Sequence, residues 1–267
     1  MADRQAKILE SMKESIASGD FYEAHQRTRT IVSRHLMKKQ YDNAYNLISE
    51  VVASLIEHNH LKSASDLALL YVEALKKSNI TANDLTSDEK IDQIANLLDA
   101  FEISNVELTK FTGQILELTQ SEDEPYGSQT LRYLIGNHYF GQKSYENAIK
   151  HFVHSESGKE VGDSLALLYF ESGTENSSSV SKFDQVLIST IFECLALSKF
   201  INAVQALKFM QKKAEKKEGF SGFSDSTDMS MNFLKGVVEQ VRKKKQTNVS
   251  IFNSFSFIFC ITGAPRG

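Results

Sequence analysis

Five times in this chain a bulky residue is followed three positions later by alanine, each time just after a break in the apolar pattern: Phe21 with Ala24, Tyr41 with Ala44, Leu61 with Ala64, Tyr145 with Ala148 and Phe200 with Ala203. Residues three apart share one face of a helix. The alanine there admits a neighbouring backbone and the bulky residue fills the groove beside it. The first three copies follow one another at the length of one helix plus one turn. That spacing predicts an all-α chain, an α-solenoid of stacked antiparallel helix pairs of tetratricopeptide-like build. Such a chain reads as a binding scaffold before it reads as an enzyme.

Only two prolines interrupt 267 residues, and 41% of the chain is hydrophobic. That is enough apolar surface for one long array or two shorter ones. A net charge of −4 argues against a general nucleic-acid binder, whose footprint is strongly basic. Two cysteines, Cys194 and Cys260, stand in a chain with no apolar leader at the N-terminus. They point to a reducing compartment and hence to the cytosol.

Apolar periodicity predicts helices from near Asp3 to Gly19, Phe21 to Met37, Tyr41 to Glu57, Leu61 to Lys77, Ser87 to Ala100 and Asn105 to Thr119. Asp20 with Glu23 is expected to cap the second of these, and Ser87 the fifth. The acidic, proline-containing run from Ser121 to Pro125 is the expected internal boundary. It divides residues 1–120 from residues 127–245. Beyond it, helices are expected over Gln129 to Phe140, with Gly141 as C-cap, then Tyr145 to Ser155, Lys159 to Glu171, a very apolar one around Val186 to Leu197, and Phe200 to Lys217. Gly173 to Ser179 reads as a linker, Gly219 to Ser230 as a loop or short hairpin, and Met231 to Arg242 as a final amphipathic helix. Residues 246–267 break the grammar. Val249 to Ile261 is rich in Phe and Ile and carries no charge, and it is short for a membrane span of roughly twenty residues.

Chemistry-bearing motifs are weak. Gly136 and Gly141-Gln142-Lys143-Ser144 resemble a phosphate loop with one residue inserted, but the lysine is displaced and no strand is predicted in front. The pairs His58/His60 and His151/His154 lack the third and fourth ligands that zinc requires. Cys194 sits in an apolar run, where a thiolate is disfavoured. No catalytic residue, metal or cofactor is expected. Charge is more telling. Arg27, Arg34 and Lys38 recur at helical spacing, with Arg29, His35 and Lys39 nearby, and form a basic face near the N-terminus suited to an acidic partner. A weaker acidic counterpart runs through Asp84, Asp88, Glu89, Asp92 and Asp99.

The segment SGDFYEAHQ at 18–26, the run from Ser63 to Glu73, and Gly127, Leu131, Ile135-Gly136, Tyr139 and YENAIKHF at 145–152 resemble the Golgi-to-ER traffic protein 4 family. This resemblance implies an α-solenoid without catalytic activity that acts in the cytosol as an adaptor in tail-anchored protein targeting. It implies that the N-terminal half docks a targeting ATPase, with His25, Arg29, Arg34, Asp66 and Glu73 falling on that side. It also implies that the C-terminal half holds a ubiquitin-like-domain protein near Phe220, Phe223, Phe233 and Leu234. Neither nucleic acid nor stable membrane insertion is part of that picture. A scaffold subunit of another cytosolic complex would share the helical grammar without the SGDFYEAHQ segment. The chain departs from the family's pattern in having no Trp, in carrying Arg132 where a His is usual, and in its sequence after Lys245.

Overall fold

The structure, a computed structural model, describes residues 2–102, 106–172 and 182–246, with side chains assigned from residue 6 to residue 243. The expected linker from Gly173 to Ser179 and the apolar run from Val249 to Ile261 lie outside the described residues. Thirteen helices and no strand are found among the described residues. They fall into two compact units, residues 1–144 and 145–267. The acidic run from Ser121 lies inside the first unit, between its last two helices.

The first unit holds α1 (Ala2–Ala17), α2 (Phe21–Met37), α3 (Tyr41–Glu57), α4 (Leu61–Ser78), α5 (Ala82–Leu85), α6 (Asp88–Leu98), α7 (Val106–Glu117) and α8 (Gln129–Gly141). The second holds α9 (Tyr145–Phe152), α10 (Gly158–Ser172), α11 (Lys182–Ala196), α12 (Phe200–Glu215) and α13 (Asp225–Gln246).

All five bulky residues of the repeat are the first residues of helices α2, α3, α4, α9 and α12, and all five alanines are fully buried. Two positions before each bulky residue the backbone is left-handed, at Gly19, Lys39, Asn59, Lys143 and Ser198, with φ between 56° and 87°. The next amide donates five residues back: Asp20 to Ser15, Gln40 to His35, His60 to Leu55, Ser144 to Tyr139 and Lys199 to Cys194, at 2.8 to 2.9 Å. The repeat is thus a Schellman turn fused to the start of the following helix. Four of the five left-handed residues are not glycine, at a cost of roughly 1–2 kcal/mol each, so the two hydrogen bonds of the turn and the packing behind it hold the conformation.

Four expected helix ends are corrected. Asp20 does not cap α2 with its side chain, because its backbone is held at ψ 53°. That is well away from the extended value that aims a cap at the third amide. Ser87 sits extended but donates its hydroxyl to the Asp84 carbonyl at 2.7 Å. A side-chain cap is found at Thr81, whose Oγ1 accepts from the Asp84 amide at the head of the short α5, a helix that periodicity does not reveal. Gly141 remains helical, and the left-handed position after it is Lys143. The last helix also starts earlier than Met231. Ser224 accepts from the Thr227 amide, and Ser226 Oγ donates to buried Asp184 on α11 at 2.7 Å, which winds residues 225–230 into α13 in place of a hairpin.

In the first unit α2 packs on α1, α3 and α4, and α4 on α3 and α7. Tyr45 and Tyr71 meet at 5.3 Å in its core, with the Lys90 ammonium 4.4 Å from the Tyr45 ring. Their hydroxyls are satisfied by Ser78 and Gln93, each at 2.7 Å. In the second unit α10 lies against α9 and α12, and α11 and α12 both reach α13. Asn202 of α12 donates to the Ser155 carbonyl at 2.7 Å, and Lys199 to the same oxygen at 3.1 Å. The glycines of α10 let the two backbones close on one another.

Candidate functional site

Burial of Ala24, Thr28 and Val32 fixes the rotation of α2 about its axis. Tyr22 lies two residues, or about 200°, from Ala24. It therefore points away from the core and is 77% exposed. The same row continues through Gln26, Thr30 and Ser33 to Met37, also 77% exposed. Beside it run Arg27, Arg34 and Lys38, all exposed. Arg27 is only loosely held, 3.5 Å from Glu23 one turn earlier, and neither Arg34 nor Lys38 forms an ion pair among the described residues. The result is a helix face with an apolar residue at each end, uncharged polar groups between them and a basic edge. Neither Tyr22 nor Met37 was among the residues expected from the sequence, although the phase set by Ala24 would have exposed them.

The other basic residues of α2 turn elsewhere, His35 Nδ1 to Gln40 Oε1 at 2.9 Å. His25 and Arg29, one turn apart, both reach the same oxygen of Asp66 on α4, His25 Nε2 at 2.7 Å. Partial burial works to raise the Asp66 carboxyl, but the hydrogen bonds from His25 and Arg29 outweigh it and hold the group below the usual carboxylate range. Asp66 therefore anchors α2 to α4 and takes two of the predicted residues out of the free basic face. Glu73, two turns further along α4, is exposed.

A carboxyl whose pKa is lowered by folding gives stability that is present above its unfolded value, about 3.9, and lost as the pH falls through its folded value. Wild type is expected to be more stable than Asp66→Asn at pH 5, and the gap to narrow as the pH falls below the unfolded value of about 3.9. Urea midpoints followed by circular dichroism across that range check it; a gap that widens in acid would contradict this anchor.

In the second unit the predicted aromatic residues separate into three situations. Phe220 and Phe223 are half-buried and lie 5.1 Å apart, with Phe223 5.0 Å from Tyr169 and Phe220 6.0 Å from Phe170. Tyr169 also accepts the Ser224 amide at 3.0 Å, and Lys217 stands 3.9 Å over Phe170. These contacts pin the loop before α13 onto α10. Phe233 is 56% exposed, its ring 6.4 Å from Phe192 of α11. Leu234 is fully buried and serves the core.

The remaining chemistry-bearing residues have structural places. Burial pushes the Cys194 thiol up to about 12, which keeps it protonated and inert. His60 stacks on Phe21 at 4.4 Å, His58 Nδ1 donates to the Ser54 carbonyl at 2.8 Å, and His154 faces Glu193 at 3.2 Å. Among the described residues no three His, Cys, Asp or Glu side chains are placed to hold a metal ion, and no described helix is long and apolar enough to cross a membrane. Gly136 is buried inside α8, so the phosphate-loop-like spacing falls on a helix and its C-terminal turn.

The sequence profile of Golgi to ER traffic protein 4 matches residues 38–256. The chain belongs to the Golgi to ER traffic protein 4 family. It is similar to the Golgi to ER traffic protein 4 homolog of Oryzias latipes, with 26% identity over 170 residues, covering 64% of this chain and 51% of that protein. The homolog from Homo sapiens is 24% identical over 159 residues, covering 60% of this chain and 47% of its own length. The chain thus spans about half the length of these curated relatives. Among solved structures it resembles C. therm. Get4, with a TM-score of 0.70 at 17% identity, covering 96% of this chain and 86% of that one, which establishes the helical-solenoid fold. The profile match begins at the end of α2. It includes Lys38, Asp66, Glu73 and the predicted residues of the second unit, while His25, Arg27, Arg29 and Arg34 precede it.

Proposed function

We propose that this Golgi to ER traffic protein 4 family member is a non-catalytic cytosolic adaptor. In this reading it bridges a targeting ATPase and a ubiquitin-like-domain protein during post-translational delivery of tail-anchored membrane proteins to the ER. Family membership over residues 38–256 carries the reading. The geometry that supports it is the exposed basic edge of α2 on one unit and the partly exposed Phe233 on the other. Arg27, Arg34 and Lys38 would meet an acidic surface of the ATPase, while His25, Arg29 and Asp66 hold α2 in place to present them. Exposed charges act chiefly on the rate of encounter and are screened by salt.

Reversal of Arg27, Arg34 and Lys38 to Glu is expected to slow association with the targeting ATPase about tenfold at low salt and to flatten its salt dependence. Biolayer interferometry over a salt series reads both. An unchanged rate and salt slope would remove α2 from the ATPase contact. Phe233→Ser is expected to weaken capture of the ubiquitin-like-domain protein without altering the melting temperature. Leu234→Ala, by contrast, should act through the fold.

A further inference from the structure

We infer that the groove between α12 and α13 is a docking site for an amphipathic helix with acidic flanks, on a partner separate from those proposed above. Along α12, residues 200, 204, 207, 208, 211, 212 and 215 form one continuous row. At a rise of about 1.5 Å per residue the row is about 22 Å long. Lys235, Val238, Glu239 and Arg242 form the facing wall on α13. The floor is apolar: Phe200, Val204, Leu207 and Val238, with Val204 39% exposed. The helical spacing of both walls leaves a channel into which the ridge of a third helix fits. Both walls are helices whose amides and carbonyls are spent internally, so an extended strand would find no backbone partners there.

Charge selects the occupant. Lys208, Lys212 and Lys235 are exposed on the rims, and none forms an ion pair among the described residues. Lys235 reaches only the Gln211 amide oxygen at 3.2 Å, and Lys212 stands 6.0 Å from the Phe209 ring. Of the two carboxylates of the groove, Glu239 faces Arg242 at 3.8 Å, while Glu215 accepts from the neutral Gln211 amide at 3.0 Å and keeps its charge. What remains is an apolar trough whose rims carry three ammonium groups against the one carboxylate of Glu215, an excess of positive charge. A helix that presents apolar residues at i, i+3, i+4 and i+7 with Asp or Glu on either side satisfies both features at once. The groove shares no residue with Phe220, Phe223, Phe233 or Leu234.

The test uses the full chain and a fluorescein-labelled helical peptide of about 18 residues, with Leu at that spacing and Glu on its flanks. The same peptide with Lys for every Glu is the control. Fluorescence anisotropy should show saturable binding of the Glu peptide that weakens with salt. Binding should fall at least about tenfold in the Lys208→Glu, Lys212→Glu, Lys235→Glu triple variant. The triple variant should instead bind the Lys peptide, which also demonstrates that it is folded. Equal binding of the two peptides by wild type, or Glu-peptide affinity unchanged in the triple variant, would overturn the proposal. So would binding to phosphatidylserine vesicles, lost in the same variant, without binding of the peptide; that result assigns the groove to a lipid surface.

Discussion

Gly162→Val should lower the stability of the second unit by about 3 kcal/mol or more, read as a loss of helical circular dichroism at much lower urea. Gly162 lies where α10 crosses α12 so closely that a Cβ added to it would stand 2.5 Å from the Ala206 carbonyl oxygen and 2.8 Å from the Met210 amide. One turn earlier, at Gly158, the same construction meets the Asn202 backbone at 2.7 Å. The obstacles are backbone atoms of a helix that is itself held by Asn202 and Lys199 to the Ser155 carbonyl, so neither side can give. Even Gly162→Ala, which gains up to about 1 kcal/mol of helix propensity, should therefore be destabilising. Gly113 supplies the contrast. It too is helical, but nothing lies within 4 Å of its added Cβ. Gly113→Ala should therefore stabilise by about 0.5–1 kcal/mol. Equal effects of alanine at the two positions would mean that α10 and α12 do not approach as described.

Phe111→Ala is expected to cost about 3–5 kcal/mol in the first unit. The ring is fully buried on α7, 5.1 Å from Phe101, between buried Leu108 and Ile115 on the same face. Removing it deletes the apolar contacts and leaves a cavity that two anchored helices, α4 and α7, cannot collapse to fill. Phe111→Leu should cost well under half as much, because most of the volume is kept. Far-UV circular dichroism against urea measures both, as the chain has no Trp to report by fluorescence. A loss for Phe111→Ala below that of Phe111→Leu would contradict a packed ring.

The helices were legible where a local signal sufficed. Phe21, Tyr41, Leu61, Tyr145 and Phe200 mark helix starts because a bulky residue and an alanine three apart need only one turn of helix to share a face. Burial of all five alanines follows from the same spacing. The conformation of the turns was not legible. Lys39, Lys143 and Ser198 carry no intrinsic preference for left-handed backbone, which is held by the hydrogen bonds of the turn and by the burial of the alanine that follows it. The early start of α13 escaped for a similar reason, since Ser226 finds Asp184 on α11, 42 residues away.

The basic residues of α2 show the division most clearly. Their sequence sets Arg27, Arg29, Arg34 and Lys38, with His25 and His35, along one helix and its C-cap, and helical spacing separates Arg27, Arg34 and Lys38 from the rest. Which of them remain free was decided by Asp66, 37 residues beyond Arg29 and 41 beyond His25. By itself the sequence determined an all-α chain, the register of its repeats and the family to which it belongs, because those rest on periodicity and on runs of adjacent residues. Only the tertiary structure decided that His25 and Arg29 are an anchor, that Leu234 is core while Phe233 is surface, and that Gly162 is a contact with Ala206. Each of these depends on which distant backbone or side chain arrives opposite a residue, and that is fixed by packing between helices and not by any one helix's own spacing.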